Sequence, residues 1–239
     1  MLNTQPIQKF NKQQPENQLS VHSIFYTIQG EGPFTGQPAI FIRLAGCNLQ
    51  CPGCDTEYLT DEPNSSIADI ITRMATALEG NDVEPLVVIT GGEPFRQDIT
   101  LLLYTLNMVG LRVQVETNGT LPPNDEFNNT GVYHDTTIVC SPKTGSVNEK
   151  LLPYINAYKY VLTEGKVNPD DGLPVTALGH PAKPMLARPH EDFEGDVYLQ
   201  PMDEQDVDRN HLNLQACIDS CVKHGYTLQV QLHKIIGME

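Results

Sequence analysis

The sequence predicts an α/β fold, an open and partial (β/α)6-type barrel with a parallel sheet and with some helices shortened or lost. Eight strand-like runs recur along the chain, about six of which fit a parallel sheet, and only three clear helical patterns stand between them. Polar residues and glycines directly follow several of these runs. Parallel strands bring such residues to one edge of the sheet, where α/β folds build their ligand sites.

The predicted strands follow one another along most of the chain. The first, residues 21–28, mixes aromatic and β-branched residues and ends at a glycine-rich turn. The second, residues 39–45, is bounded by Pro38 and Gly46 and leads into a group of cysteines. Further strands are predicted at residues 86–90, 112–116, 137–140, 157–162, 197–201 and 227–232.

Three helices are predicted, at residues 67–78, 98–109 and 207–223, and a glycine follows each of them within two residues. Ser66 and Asp69 have the spacing of a capping box at the start of the first helix. Cys217 and Cys221 share the apolar stripe of the third helix, so both are predicted to be core residues rather than metal ligands. Cys140, at the end of a strand, is likewise predicted to lie in the core.

Composition and charge exclude several classes of partner. The chain has 239 residues, with 30 acidic and 15 basic side chains and a formal charge of −15. This balance argues against a nucleic-acid partner, which calls for a basic face, and against binding to an anionic membrane surface. No apolar run is long enough to span a bilayer.

The cysteines and the N-terminus bear on location and domain organisation. Six cysteines in a chain of this length do not resemble a disulfide scaffold, so we expect a reducing, cytoplasmic location. Residues 1–18 are rich in Gln and Asn and lack the apolar segment of a secretory signal. We expect residues 1–18 to be a flexible extension and residues 19–239 to form a single domain.

Three of the cysteines, Cys47, Cys51 and Cys54, lie within eight residues. Thiolates are soft ligands that suit zinc or iron–sulfur clusters. Three thiolates in one loop can hold a cubane cluster by three irons and leave the fourth iron open to another ligand. A structural zinc site would instead need a fourth protein ligand from elsewhere. On spacing alone, a zinc site and a cluster both remain possible.

Three further strand ends carry polar or glycine-rich turns. Residues 91–94, Gly-Gly-Glu-Pro, follow the strand at 86–90, and the two glycines would let the backbone approach a ligand closely. The Glu93 carboxylate and the exposed carbonyls could accept hydrogen bonds from an ammonium group. Glu116 and Asn118 lie at the end of the next strand and could meet a ribose, and Lys143, past a later strand, could bind a carboxylate.

The cysteine spacing, followed about 40 residues later by the Gly-Gly-Glu-Pro turn, resembles the radical S-adenosylmethionine (SAM) superfamily. In that superfamily the open iron chelates the amino and carboxylate groups of SAM. One departure is visible, because the residue before the third cysteine is commonly aromatic and packs near the adenine. That residue is Gly53 here, so the packing must come from elsewhere, and Tyr58 is a candidate.

A longer ordered set of segments is similar to the 7-carboxy-7-deazaguanine synthase family, from about residue 20 to the end of the chain. The segments are TIQGEG at 27–32, FIRL at 41–44, CDT at 54–56, ITGGEP at 89–94, ETNG at 116–119, SPK at 141–143, LQP at 199–201 and LHK at 232–234. The resemblance implies conversion of 6-carboxy-5,6,7,8-tetrahydropterin to 7-carboxy-7-deazaguanine with loss of ammonia. SAM would be regenerated, as a reusable cofactor.

The resemblance also implies roles for individual residues. A 4Fe–4S cluster would be bound by Cys47, Cys51 and Cys54, and Mg²⁺ by the Thr56 hydroxyl. The residues that would touch the substrate are Ile28, Gln29, Gly30, Arg43 and Thr90, and Arg43 can pair with the carboxylate of the pterin. The residues that would line the SAM site are Gly53, Cys54, Asp55, Gly91, Gly92, Glu93, Glu116, Ser141, Pro142, Lys143, Gln200, Pro201, Met202 and Asp203.

The implied partners are the pterin, a reductant such as flavodoxin or ferredoxin, and a second copy of the chain in a homodimer. Two alternatives remain. A glycyl-radical activating enzyme shares the cysteine spacing, although the turn at residues 29–32 followed by Phe34-Thr35-Gly36 favours the pterin enzyme. The second alternative is a non-catalytic metal-binding module. The turn at residues 91–93 argues against it, because such a module has no use for a turn that binds an ammonium group.

Overall fold

The computed structural model describes residues 3–9, 15, 17–124, 131–132, 136–179 and 185–238. Its strands are β1 (Gln18–Leu19), β2 (Val21–Ile28), β3 (Pro38–Leu44), β4 (Ser65–Ser66), β5 (Leu86–Gly91), β6 (Val113–Thr117), β7 (Thr136–Cys140), β8 (Ile155–Leu162), β9 (Asp196–Pro201) and β10 (Thr227–Leu228). Its α-helices are α1 (Ile67–Ala77), α2 (Thr100–Met108), α3 (Val207–His224) and α4 (Leu232–Ile236).

Eight of the strands form one sheet in the order β10-β9-β8-β7-β6-β5-β3-β2. All neighbours pair in parallel except β2, which runs antiparallel to β3 at one edge. From β3 onward the spatial order follows the chain order, as in a barrel that is wound in one direction. The prediction of an α/β fold with a mostly parallel sheet is confirmed.

The two faces of the sheet differ, because alternate residues of a strand point to opposite sides. In β3, Ile40 and Ile42 are fully buried in the main hydrophobic core, which also contains residues from α1, α2 and α3. Phe41 and Arg43, which alternate with them, line a cavity on the other face. The sheet therefore has one apolar face under the helices and one face that forms a ligand-sized cavity.

The helix predictions agree closely with the structure. Ser66 Oγ accepts a hydrogen bond from the Asp69 N–H at 3.1 Å, and the Asp69 carboxylate accepts one from the Ser66 N–H, which completes the predicted capping box. Cys217 and Cys221 are buried in the main core on α3, and Cys140 is buried there at the end of β7. The prediction that these three thiols are core residues is confirmed.

Some connections carry little or no α-helix, as predicted. Between β7 and β8 the regular structure is one 3-10 turn at Leu152–Tyr154, and the described residues between β8 and β9 contain no helix. The absence of long crossover helices there leaves that part of the sheet covered mainly by loops and by α3. No helix among the described residues is long and apolar enough to cross a membrane.

The C-terminal strand is much shorter than predicted. We expected a strand over residues 227–232, but β10 has two residues and the short helix α4 follows. The Gln229 N–H still donates to the Leu199 carbonyl of β9 at 2.9 Å, and beyond it the segment bonds to the turn between β2 and β3. The Leu232 N–H donates to the Gly30 carbonyl at 3.2 Å, and the Gln229 side-chain oxygen accepts from the Gly32 N–H. The C-terminal segment thus packs on the turn between β2 and β3.

Residues 3–9 lie against the cysteine loop and not apart from the domain. The Asn3 N–H donates to the Pro52 carbonyl at 2.9 Å, and the Gln8 N–H donates to the Cys47 carbonyl at 2.7 Å. Our expectation of a flexible extension over residues 1–18, and with it the domain boundary at residue 19, stays a prediction. These contacts are, however, specific ones, and β1 in addition pairs with β4 in a small second sheet that the sequence analysis did not predict.

Candidate active site

A cavity of about 420 Å³ opens on the face of the sheet opposite the helices, a volume typical of small-molecule sites. Many of its lining residues follow the carboxyl ends of the parallel strands. The predicted site residues that line it are Ile28, Gln29, Arg43, Gly53, Cys54, Asp55, Thr56, Thr90, Gly91, Gly92, Glu116, Ser141, Lys143, Gln200, Pro201, Met202 and Asp203. The structure therefore brings together predicted site residues that are up to 175 positions apart in sequence, from Ile28 to Asp203.

The cysteine loop lies at the rim of this cavity. Cys47 and Cys51 are buried, and Cys54 is half-buried and lines the cavity. Burial raises the pKa of the Cys47 thiol to about 12. It also raises the pKa values of Cys51 and Cys54, and the nearby Lys143 ammonium only partly opposes that rise. The Leu49 N–H points at Cys47 Sγ at 3.4 Å. Metal binding would have to displace the thiol protons.

The loop offers three free thiols, and thiolates are ligands of both zinc sites and iron–sulfur clusters. Among the described residues, no group of three or more His, Cys, Asp and Glu side chains is arranged to hold a single metal ion. Cys47, Cys51 and Cys54 are the residues that would hold a 4Fe–4S cluster.

The Gly91-Gly92 turn passes so close to the cysteine loop that neither glycine can be replaced without a shift. Gly91 has φ +136°, and a Cβ there would lie 2.1 Å from the Leu44 carbonyl oxygen. A Cβ on Gly92 would lie 2.1 Å from the Gly46 carbonyl oxygen. The sequence predicts that the backbone approaches a ligand closely at this turn, whereas the close neighbour in the structure is the chain itself, at Leu44 and Gly46. The turn and the cysteine loop form one rigid wall of the cavity.

The Glu93 side chain points away from the cavity. Its carboxylate is fully buried and accepts hydrogen bonds from Thr117 Oγ1 at 2.7 Å and from the N–H groups of Asn118 at 2.7 Å and Phe95 at 3.1 Å. Burial raises the pKa of Glu93 to about 7, even though these three donors favour the charged form. The carboxylate thus fixes the turn to the end of β6, and a direct contact with the ammonium group of SAM has no support in this geometry.

Arg43 and Thr90 stand side by side on the cavity face. They are register partners in the parallel pair β3–β5. The Arg43 guanidinium lies over the Phe25 ring, with 5.1 Å between Cζ and the ring centroid. This cation–π contact holds a planar, permanently charged donor group in the cavity wall. A carboxylate is the natural ligand of such a group.

A buried ionic network forms the floor of the cavity. Lys159 on β8 donates to the carboxylates of Glu31 and of Glu116, and its Nζ lies 3.1 Å from Glu116 Oε2. Gln29 Nε2 donates to Glu116 Oε1 at 3.1 Å, and Gln231 Nε2 donates to Glu31 Oε1 at 2.8 Å. Burial alone would raise the pKa of Glu31, but the Lys159 charge and these hydrogen bonds lower it to about 2. The Glu31 carboxylate is therefore charged at neutral pH.

Lys143 places a second cation beside the cysteines. Its Nζ donates to the Ser141 carbonyl at 2.8 Å and to Ser141 Oγ at 2.6 Å. Burial lowers the pKa of Lys143, and the neighbouring thiols Cys51 and Cys54 oppose that shift. An ammonium group in this position would offset part of the negative charge that three thiolates bring.

The wall beside Gly53 is apolar and not aromatic. A Cβ on Gly53 would lie 2.9 Å from the Met202 terminal methyl and 3.2 Å from the Leu178 carbonyl oxygen. The Gly53 N–H donates to that carbonyl at 2.8 Å, and both Leu178 and Met202 line the cavity. Tyr58, our candidate for adenine packing, is buried behind the loop and does not line the cavity. Leu178 and Met202 occupy the place that an aromatic residue would need.

Some predicted residues support the site without lining it. These residues are Gly30, Glu93, Pro142, Cys47 and Cys51. Gly30 has a steric reason to be glycine, because a Cβ there would lie 2.1 Å from His233 Nδ1. His233 itself lines the cavity.

The main residues that the sequence analysis missed are Glu31, Lys159, Gln231 and Lys234. A lysine among the apolar residues of β8 was a usable signal for Lys159, because an unpaired charge is costly in such a strand. Lys234 Nζ lies 3.0 Å from Asp203 Oδ2 and 3.2 Å from Asp55 Oδ2, and it closes the cavity rim between two predicted SAM-site segments. No local sequence pattern predicts the contact of Lys234 with these two carboxylates.

Comparison with known proteins agrees with this geometry. The sequence model of the radical SAM superfamily matches residues 41–160. A 7-carboxy-7-deazaguanine synthase from Rhodospirillum rubrum is 39% identical over 224 residues, covering 91% of this chain and 92% of that protein. One from Rickettsia prowazekii is 38% identical, covering 92% of this chain and 89% of that protein.

A solved structure matches the fold over the same extent. The crystal structure of QueE from Escherichia coli has a TM-score of 0.65 and 27% sequence identity to this chain. The match covers 92% of this chain and 100% of the QueE chain. The relatives match along nearly their whole length, and the clustered cysteines, the Gly-Gly turn and the sheet all fall within the matched fold. The chain therefore belongs to the radical SAM superfamily and, within it, to the 7-carboxy-7-deazaguanine synthase family.

Proposed function

We propose that this chain is a lyase that converts 6-carboxy-5,6,7,8-tetrahydropterin to 7-carboxy-7-deazaguanine with loss of ammonia, in the biosynthesis of queuosine and other 7-deazapurines. The observation that carries the proposal is the position of the cysteine loop. Its third thiol, Cys54, lines a cavity that also contains the Arg43 guanidinium and the Gly91-Gly92 turn. Membership of the family, at 39% identity to one named relative, supports the same reaction.

Cys47, Cys51 and Cys54 would hold a 4Fe–4S cluster. A cluster bound there would supply the electron for reductive cleavage of SAM, and the bound SAM would supply radical chemistry at carbon 6 of the pterin. The protein's part is binding, orientation and the exclusion of water. The buried walls formed by the glycine turn and the Lys159 network suit that role.

SAM would lie between the cysteine loop and the ends of the later strands. The proposed lining residues are Gly53, Cys54, Asp55, Gly91, Gly92, Ser141, Lys143, Gln200, Pro201, Met202 and Asp203, with Pro142 behind them. Glu93 would act indirectly, by fixing the turn that presents the backbone of residues 91–92. Glu116 lies within reach of the cavity, so a contact with the SAM ribose remains part of the proposal.

The pterin would occupy the part of the cavity bounded by Arg43, Thr90 and the turn at residues 28–30. Arg43 would pair with the substrate carboxylate through two parallel hydrogen bonds. Gln29 lines the cavity, and Gly30 lets His233 pack against this turn. The charged floor formed by Lys159 and its two carboxylates lies next to this region and offers both donors and acceptors to a polar heterocycle.

Mg²⁺ would bind at Thr56, which lines the cavity two residues after Cys54. Mg²⁺ prefers oxygen ligands and commonly keeps several waters, so one hydroxyl and the substrate carboxylate are a sufficient anchor. The same proposal includes a low-potential reductant such as flavodoxin or ferredoxin, a homodimeric assembly and a cytoplasmic location. Analytical ultracentrifugation of the reconstituted protein would test the dimer directly.

Absorption spectra after anaerobic reconstitution with iron and sulfide test the cluster. We expect a brown protein with broad visible absorbance that is reduced in Cys47→Ala and kept in Cys140→Ala, a matched buried thiol outside the loop. A colourless protein that binds stoichiometric zinc would contradict the proposal and favour the metal-binding module. If the brown protein cleaves SAM and leaves the pterin unchanged, the glycyl-radical activating enzyme is the better account.

A further inference from the structure

Residues 3–9, which we call the N-terminal strap, run along the outer side of the cysteine loop and bond to its backbone. The Gln8 N–H donates to the Cys47 carbonyl at 2.7 Å. Asn3 donates twice, from its backbone to the Pro52 carbonyl at 2.9 Å and from Nδ2 to the Cys51 carbonyl at 3.3 Å. The strap therefore satisfies the carbonyl groups of two proposed cluster ligands.

Gln5 holds the chain that follows the third cysteine. Its Nε2 donates to the Thr56 carbonyl at 2.9 Å, and its Oε1 accepts from the Tyr58 N–H at 2.8 Å. A side-chain amide that bonds in both directions substitutes for a neighbouring strand. The Gln5 backbone N–H in turn donates to Asn3 Oδ1 at 2.9 Å, which fixes the Gln5 backbone next to Asn3. Thr56 is the proposed Mg²⁺ ligand, and Cys54 is two residues before it.

Tyr58 joins the strap to both ends of the loop from behind. Its carbonyl accepts from the Gly46 N–H at 2.8 Å, next to Cys47. Its ring is 1% exposed, and its hydroxyl lies within 3.5 Å of the Gln5 and Leu49 carbonyls. The loop between β3 and β4 is thus anchored on a second layer of side chains.

The far end of the strap is tied to the glycine turn. Arg96 Nη1 donates to the Lys9 carbonyl at 3.2 Å, and Arg96 Nη2 donates to the Ala45 carbonyl at 2.9 Å. Arg96 belongs to the 3-10 turn that follows Glu93. The Arg96 guanidinium therefore connects the strap, Ala45 just before the cysteine loop, and the turn that is proposed to hold SAM.

These contacts bear on the cluster in two ways. Each hydrogen bond fixes a loop that has no helix or strand between β3 and β4 to hold it. Cys47 and Cys51, whose carbonyl groups bond to the strap, are only 8% and 7% exposed. Solvent exposure and outer hydrogen bonds tune the potential of a cluster and the affinity of its site. A loop that opens more often would expose the cluster more often to oxidants.

We propose that the N-terminal strap clamps the cysteine loop around the cluster, with Gln5 as its principal positioning residue. The strap protects the cluster from loss and fixes its potential. This inference rests on the proposed function only in requiring that the loop binds a cluster. It does not depend on which substrate the cavity accepts.

The test uses the full chain, reconstituted anaerobically, and compares wild type with Gln5→Ala, Asn3→Ala and Thr4→Ala. Thr4 lies between the two positioning residues, is exposed and serves as the matched control. Two readouts are followed: the rate of visible bleaching in air with an iron chelator, and the midpoint potential. Loss of the two Gln5 hydrogen bonds predicts bleaching roughly tenfold faster or more. We also expect a shifted potential, with Thr4→Ala at wild-type values.

Wild-type bleaching rates and potential in both Gln5→Ala and Asn3→Ala would overturn the strap proposal alone. Gln5→Glu separates positioning from folding, because it keeps the acceptor for the Tyr58 N–H and puts an oxygen opposite the Thr56 carbonyl. We expect Gln5→Glu to fold as wild type by circular dichroism and to bleach as fast as Gln5→Ala. Protection equal to that of wild type in Gln5→Glu would count against the clamp. A wild-type protein that forms no cluster would overturn the proposed function as well.

Discussion

Lys159 reaches across β7 to Glu116, two strands away, with 3.1 Å between Nζ and Oε2. Both side chains are largely buried, at 8% and 17% exposure. The contact exists because both residues point to the cavity face of the sheet, where the apolar core does not reach. Glu31, from the turn after β2, completes the network on the other side of the same ammonium.

Replacement of Lys159 should be strongly destabilising. Lys159→Met leaves two buried carboxylates unpaired, which predicts a loss of about 3–5 kcal/mol in the free energy of unfolding. Urea unfolding at pH 7 measures this loss, and Lys150→Met, at an exposed position, is the control. A loss below about 1 kcal/mol would mean that the network contributes little to the fold.

The pH dependence of stability should change sign in that variant. In wild type the pKa of Glu31 is lowered to about 2, so its contribution is present above pH 4.5 and is lost as the pH falls towards 2. In Lys159→Met the same carboxylate is buried without its cation, its pKa rises, and stability should increase as the pH is lowered from 7 to 5. Unfolding curves at several pH values test this. Parallel curves for the two proteins would contradict it.

Glu93 should behave as a positioning residue. Glu93→Gln turns a side-chain N–H towards at least one backbone donor, because all three hydrogen-bond partners of the carboxylate donate. We expect a loss of about 1–3 kcal/mol in unfolding free energy, together with a raised KM for SAM. If the KM rises and stability is unchanged, Glu93 contacts SAM directly and our reading of its burial is wrong.

Arg43 should set the affinity for the substrate carboxylate. Arg43→Lys keeps the charge but loses the two-bond geometry and the stacking on Phe25, so KM for the pterin should rise about tenfold or more while SAM affinity stays near wild type. Steady-state kinetics measure both constants. Arg209→Lys, in an exposed pair with Glu204, is the control and should leave both constants unchanged.

Thr56 should determine the response to Mg²⁺. Thr56→Ala removes the proposed oxygen ligand, and we expect the stimulation of turnover by Mg²⁺ to need a higher concentration of the ion. Thr56→Ser keeps the hydroxyl and should restore the wild-type response. Identical Mg²⁺ titrations for Thr56→Ala and wild type would remove Thr56 from the site. Chelation with EDTA gives the reference for turnover without the ion.

Local patterns predicted the parts of the site that are local in sequence. The cysteine loop and the Gly91-Gly92 turn each consist of adjacent residues, and they lie at the ends of β3 and β5, beside the same cavity. The contact between Lys159 and Glu31 was not predicted, because the two residues are 128 positions apart. The fold makes them neighbours by bringing the turn after β2 next to the cavity face of β8.

The N-terminal strap illustrates a second limit of sequence reasoning. Residues rich in Gln and Asn indicate a flexible tail when no partner is visible, because their side chains compete poorly for the core. The same amides can pair with exposed backbone groups, as Gln5 does with Thr56 and Tyr58. Composition does not reveal whether such a backbone is near, so the contact could be found only in the structure.

The most direct test of the central claim is an anaerobic turnover assay with 6-carboxy-5,6,7,8-tetrahydropterin, SAM and dithionite, followed by mass spectrometry of the products. We predict 7-carboxy-7-deazaguanine and ammonia in equal amounts, with many turnovers per SAM consumed and no product from Cys47→Ala. A protein that carries the cluster and cleaves SAM while the pterin remains unchanged would contradict the account.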